Sequence, residues 1–178
     1  ASPVVAQDFP VDLELVLAVD ISQSVDGYEG YLQRRGYVEA LADPQVIEAI
    51  QSGVHGRIAV TYIEWAGPGI WIPIVDWRII ASADDAYELS YTLATEMLTR
   101  GRGTSISGIL GYAMTLFDTN GFQGDRRVID ISGDGPNSSG GIVSFARDDA
   151  VAAGITVNGV AINNFDGSAF SLPDLDVY

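Results

Sequence analysis

The sequence predicts an α/β domain built on a mostly parallel sheet, and three observations predict it. Apolar runs that read as strands alternate with helical stretches along the chain. The first run, residues 13–19, is interrupted only by Glu14, as in a strand buried on both faces. Its 178 residues suit a single domain with a sizeable core, centred on residues 13–162.

The first strand ends at Asp20. A helix over residues 25–42 follows, with Tyr28, Tyr31, Leu32, Val38 and Leu41 on one face, and Asp43-Pro44 interrupts it. Residues 57–66 read as a strand and Gly67-Pro68-Gly69 as a turn. So short a loop makes the next strand, 70–80, antiparallel to its predecessor. Trp65, Trp71 and Trp77 lie on or beside this hairpin, and packing is their default role. Ser82 and Asp85 have capping spacing, and their helix turns Ala86, Leu89, Leu93 and Met97 inward. Gly101-Arg102-Gly103 is a tight loop that leaves Thr104 at a helix N-cap. That helix runs to about residue 117, burying Ile106, Ile109, Leu110, Ala113 and Phe117. A strand over 127–132 ends in Gly133-Asp134-Gly135. Ile142, Phe145, Ala146 and Ala153 mark a helix closed by Gly154, and 155–162 is the last clear strand. Parallel connections are expected to be right-handed, with helices on both faces.

Composition narrows the function classes. Hydrophobic residues make up 47% and charged residues 19%, a globular balance. No apolar run approaches the ~18 residues of a membrane span, so no membrane insertion is expected. The net charge is −15 and no basic stripe exists, which argues against nucleic acid and anionic lipid as partners. Such acidity suits cations or basic partners. The basic residues are all Arg. The absence of Cys removes disulfides, thiolate metal sites and a cysteine nucleophile. The chain starts Ala1-Ser2-Pro3, without an initiator Met, which fits a removed export signal or a recombinant start.

One constellation carries chemistry. Asp20-Ile21-Ser22-Gln23-Ser24 offers three oxygen-bearing side chains at alternate positions beyond the carboxyl end of the first strand. Thr104 adds a hydroxyl and Asp134 a second carboxylate from another strand end. Carboxylate and hydroxyl oxygens suit Mg²⁺, Ca²⁺ or Mn²⁺. Ligands in open α/β sheets gather beyond strand carboxyl ends where strand order reverses. If the strands of Asp20 and Asp134 are neighbours there, all five groups meet, and helix starts near Ser24 and Thr104 favour an approaching anion. Taken alone, Asp20 to Ser24 reads first as a turn and cap; joined to Thr104 and Asp134, it reads as a metal site. Gly103, Ser105, Gly135 and Asn137, with Ser138, are expected to shape its rim. Asp26 reads as a first-turn acid, Asp130 as a partner for an Arg, and His55 as an exposed loop residue.

These pieces, Asp20-Ile21-Ser22-Gln23-Ser24, Gly103-Thr104-Ser105 and Ile131-Ser132-Gly133-Asp134-Gly135, resemble a von Willebrand factor type A (vWA) domain with a metal-ion-dependent adhesion site (MIDAS). The resemblance spans residues 13–162 and is closer to the bacterial DUF1194 family, known mainly from proteobacteria with export signals. It implies a three-layer, Rossmann-like fold with one antiparallel edge strand. It implies direct metal ligation by Ser22, Ser24 and sometimes Thr104, with Asp20 and Asp134 acting through water. It also implies a coordination position left open for an Asp or Glu carboxylate of a partner protein.

The expected function is therefore a metal-dependent adhesion or scaffold module, not an enzyme. The ion is one divalent cation, Mg²⁺ ahead of Ca²⁺ or Mn²⁺. Export to a bacterial periplasm or cell exterior is expected. A phosphohydrolase of the haloacid-dehalogenase type needs a second acid where Ser22 stands, and no Lys exists to hold the phosphoryl group. A serine hydrolase lacks a G-x-S-x-G elbow and would have to recruit His55. A third reading is a vWA subunit of an ATPase or chelatase complex. After Ile162 no strand or helix pattern is convincing, so 163–178 reads as an irregular tail that lacks the last strand and helix of a complete vWA domain. The native gene is expected to continue past Tyr178. An open sheet edge invites self-association, and Asp166, Asp174 or Asp176 could reach a neighbour's metal site.

Overall fold

The computed structural model describes residues 8–162. Its elements are β1 (Phe9–Val11), β2 (Leu13–Asp20), α1 (Gly27–Ala42), α2 (Pro44–Gln51), β3 (Ile58–Trp65), β4 (Trp71–Ile80), α3 (Ala83–Thr95), α4 (Ile106–Thr115), β5 (Phe122–Gly124), β6 (Arg127–Gly133), α5 (Val143–Ala152) and β7 (Ile155–Ala161). The main sheet has the order β4-β3-β2-β6-β7, and only β4 runs antiparallel. A two-stranded parallel ribbon, β1 with β5, stands apart from it.

Alternation along β2 explains the layers. Val16 and Ala18 join one core with Ile109, Leu110 and Ala113 of α4 and Ala150 of α5. Leu17 and Val19 join the other with Leu41 of α1, Ile47 of α2 and Leu89 and Leu93 of α3. A central strand with apolar residues on both faces needs helices on both faces, and the three-layer α/β expectation holds. Glu14 is fully buried within this strand. Its carboxylate accepts the amide of Asn120 at 2.6 Å and the backbone N–H of Gly124 at 2.7 Å, so the charge fastens the β5 segment to β2.

Several local expectations change. Asp43-Pro44 ends α1 and also starts α2: the Asp43 carboxylate caps Gln45 N–H at 2.7 Å and Pro44 occupies the first turn. Neither α2 nor the short strands β1 and β5 is expected from the periodicity. On α1, Tyr28, Tyr31 and Leu32 are exposed, because the inward face is set by Arg34 and Leu41. Met97 is 84% exposed, since α3 stops at Thr95. On α5, Ile142 and Phe145 are exposed; the contact is made by Ala146 and Ala150, whose small side chains allow close approach. Asp130 accepts from Asn158 at 2.7 Å, not from an Arg. Trp65 is fully buried, Trp71 stacks on Tyr112, and Trp77 packs against Phe117 and Phe122. The tail acids Asp166, Asp174 and Asp176 lie outside the described residues.

Candidate metal centre

Because β2 and β6 are adjacent and parallel, their carboxyl ends deliver Asp20 and Asp134 to the same end of the sheet. Strand order reverses here, since β3 lies on one side of β2 and β6 on the other. Asp20 is fully buried, and its Oδ1 accepts the backbone N–H of Ser22 at 2.7 Å. Ser22 Oγ lies 2.9 Å from Ser24 Oγ, and Ser24 Oγ donates to Asp134 Oδ1 at 2.8 Å. Four of the five expected residues thus form one hydrogen-bonded chain.

Thr104 is placed by its backbone. Its loop is bonded to the β2 and β3 ends: Gly101 N–H donates to Ile21 O at 2.8 Å and Ser105 N–H to Ala66 O at 3.0 Å. On its other side, Thr104 O accepts from Ser138 N at 2.9 Å and Ser139 N at 3.0 Å, in the segment after Asp134. Thr104 is buried, and these backbone bonds join its loop to the ends of β2 and β3 on one side and to the segment after Asp134 on the other. It is not an N-cap. That position belongs to Ser105, which makes no side-chain cap. Asn137 supplies the missing cap from a distance, accepting Ser107 N–H at 3.2 Å while its amide donates to Gly141 O at 3.1 Å. Nor does a helix begin at Ser24. Asp26 is the N-cap of α1, in a capping box with Glu29.

The other rim residues are backbone devices. Gly103 has φ +75°, a conformation open to glycine. Gly133 matters by its missing side chain: a Cβ there would stand 3.1 Å from Asp20 Oδ2. Ser105 Oγ is buried without a hydrogen-bond partner among the described residues, and Gly135 is half-buried.

The electrostatics follow from burial. Asp20 Oδ2 is a buried carboxylate oxygen with no hydrogen-bond partner among the described residues. Burial pushes the Asp20 carboxyl up to about 6; hydrogen bonds from Ser22 oppose the rise and the charge of Asp134 adds to it. Burial also raises Asp134, against the hydroxyl of Ser24. Two carboxylates and two hydroxyls, with one buried oxygen unsatisfied, are a donor set that fits a hard divalent cation.

The sequence reading missed the scaffold behind these loops. Arg34 and Glu64, both buried, form an ion pair, and Glu64 also accepts from Thr99. Arg34 Nη1 donates to Leu93 O at 2.8 Å. Arg100 Nη2 reaches Val25 O at 3.0 Å, and Gln33 Nε2 reaches Ser132 Oγ at 2.6 Å. The available signal was an acid inside the otherwise uncharged β3. His55 is half-buried, with Nε2 3.6 Å from Asp125 Oδ2, not a plainly exposed loop residue.

Comparison with solved structures supports the fold. Proximal thread matrix protein 1 from the mussel byssus superposes with a TM-score of 0.68 at 15% identity, over 88% of this chain and 39% of that one. A second structure of that protein, with a zinc-occupied MIDAS motif, gives 0.67 at 16% identity over the same shares. The pilus adhesin SpaC from Lactobacillus rhamnosus GG gives 0.57 at 18% identity, over 92% of this chain and 26% of that one. This chain therefore spans about two-fifths or less of these proteins. At such identities the likeness establishes the fold, which is that of a vWA domain. No curated protein matches in sequence. The family described as "Protein of unknown function (DUF1194)" matches residues 10–178. The chain belongs to the DUF1194 family, and its fold is that of a vWA domain.

Proposed function

We propose that this domain is a divalent-metal-dependent protein-binding module of the adhesion or scaffold kind. Asp20, Ser22, Ser24, Thr104 and Asp134 hold one hard cation, Mg²⁺ by preference. What carries this is the buried, unpartnered Asp20 Oδ2 beside the Ser22–Ser24–Asp134 chain. An uncompensated buried carboxylate is costly in an apoprotein and neutralised by a cation. With hydroxyls as direct ligands and Asp20 and Asp134 acting through water, the ion keeps much of its charge. A carboxylate from an acidic side chain of a partner protein then completes the shell. The overall charge of −15 makes the ion the natural attachment point for that acid. Export to the periplasm or the cell exterior is part of the same proposal.

Calorimetric titration of Mg²⁺, Ca²⁺ and Mn²⁺ into wild type and Asp20→Asn tests it. One equivalent is expected to bind wild type, with affinity weakened about 10–100-fold in the variant. Equal binding by both folded proteins, or by neither, overturns the assignment.

A further inference from the structure

We propose that Asp12, His55 and Asp125 form a second metal site, for a borderline divalent cation such as Zn²⁺, at the end of the sheet opposite the first. One ligand atom from each residue lies within 4.8 Å of the others. Asp12 directly precedes β2 whereas Asp20 closes it; eight residues of strand separate the two centres by roughly 25 Å. The two sites are therefore independent.

The three residues come from three loops that the backbone already ties together. Asp12 N–H donates to Arg57 O at 2.9 Å, and Asp125 N–H to Val11 O at 3.0 Å. The Asp12 carboxylate accepts the N–H groups of His55 at 2.9 Å and Arg57 at 3.1 Å, one on each oxygen. Each carboxylate oxygen has a further lone pair for a metal. The side chain of Arg57 turns away, donating to Pro10 O at 2.9 Å and lying over the ring of Phe9 at 4.2 Å. Its charge is thus directed elsewhere. One imidazole and two carboxylates are a mixed nitrogen and oxygen set, which suits zinc and its neighbours better than Mg²⁺.

Ligand atoms arranged tetrahedrally about zinc stand about 3.3 Å apart, given bonds of 2.0–2.2 Å. His55 Nε2 and Asp125 Oδ2 are at 3.6 Å, close to that spacing. Asp125 is 60% exposed and free to close the remainder by rotation. Water would fill the fourth position. The ion would brace the β1–β5 ribbon against the loop before β3, a structural role distinct from partner capture.

Zinc titration in the presence of excess Mg²⁺ distinguishes the sites. Wild type and Asp20→Asn are expected to bind one equivalent of Zn²⁺ alike. His55→Ala should weaken it at least tenfold, as should the exposed change Asp125→Asn, which guards against a folding defect in the first variant. With Co²⁺ as the probe, a paramagnetically shifted imidazole proton signal should appear in wild type and be absent from His55→Ala. Zinc binding unchanged in both His55→Ala and Asp125→Asn, lost only in Asp20→Asn, or weaker than about 1 mM in wild type overturns the second site. Zinc binding lost in His55→Ala and Asp125→Asn leaves the Mg²⁺ titration of the Asp20 site to be read separately.

Discussion

Asp20 is the residue on which the candidate centre turns, and its burial gives a pH dependence of definite sign. Its carboxyl titrates near 6 in the fold, raised from an ordinary 3.8 by desolvation. A raised value means that the fold prefers the protonated acid. That stabilisation is fully present below about pH 4 and is lost as pH rises through about 6. The rise from 3.8 to about 6 corresponds to a difference on the order of 3 kcal/mol. Urea denaturation in EDTA is therefore expected to show wild type losing stability between pH 4 and 7, with Asp20→Asn much flatter. Saturating Mg²⁺ should flatten or reverse the wild-type slope by stabilising the charged form. The clustering of Asp20, Ser22, Ser24 and Asp134 was legible in the sequence, because oxygen-bearing side chains at alternate positions after one strand, and an acid at the end of another, leave a visible pattern. The role of Thr104 was not: whether a hydroxyl caps a helix depends on backbone angles one residue away, and Ser105 took that position.

Among the elements, strands and their order were the most readable, because burial on both faces writes continuous apolar runs. Helix faces were less so. Arg34 on α1 points inward to Glu64 of β3, and no hydrophobic pattern announces an inward arginine. This pair, extended by Thr99, holds α1, β3 and the segment leading to the Thr104 loop in one arrangement. Removing one partner strands the other charge in the core. Arg34→Met is expected to cost about 3–5 kcal/mol in chemical denaturation, while Arg34→Met with Glu64→Leu should recover much of the loss. If the single variant is as stable as wild type, the pair has no bracing role. The short strands β1 and β5 were illegible for a different reason. Three residues carry too little periodicity, and what anchors β5, and β1 through it, is Glu14, a charge in a strand that otherwise reads as apolar.

At the scale of the whole molecule, a cation that binds only the native fold stabilises it in proportion to its affinity. At a Mg²⁺ concentration 100 times the dissociation constant the gain is about 2.7 kcal/mol. For a domain of this size that corresponds to roughly 5–10 °C in Tm. Differential scanning calorimetry should show this rise for wild type, its removal by EDTA, and a rise of half or less in Asp20→Asn at the same Mg²⁺ concentration. The sequence exposes the three-layer plan because parallel strands and covering helices constrain one another. It does not expose how far the chain's acidity is balanced locally, since pairs such as His55 with Asp125 arise from loops distant in sequence. The β2–β6 pairing has one more consequence, for the order of folding. Asp20 and Asp134 meet only when two distant stretches of chain register side by side, with α1, α2, β3, β4, α3, α4 and β5 between them in sequence. Such non-local pairing is slow and comes late. The cation proposed for this crevice would then be the last piece to arrive during synthesis: it would latch a finished sheet and seed none of it, so it should lengthen the life of the folded domain while leaving its birth rate alone.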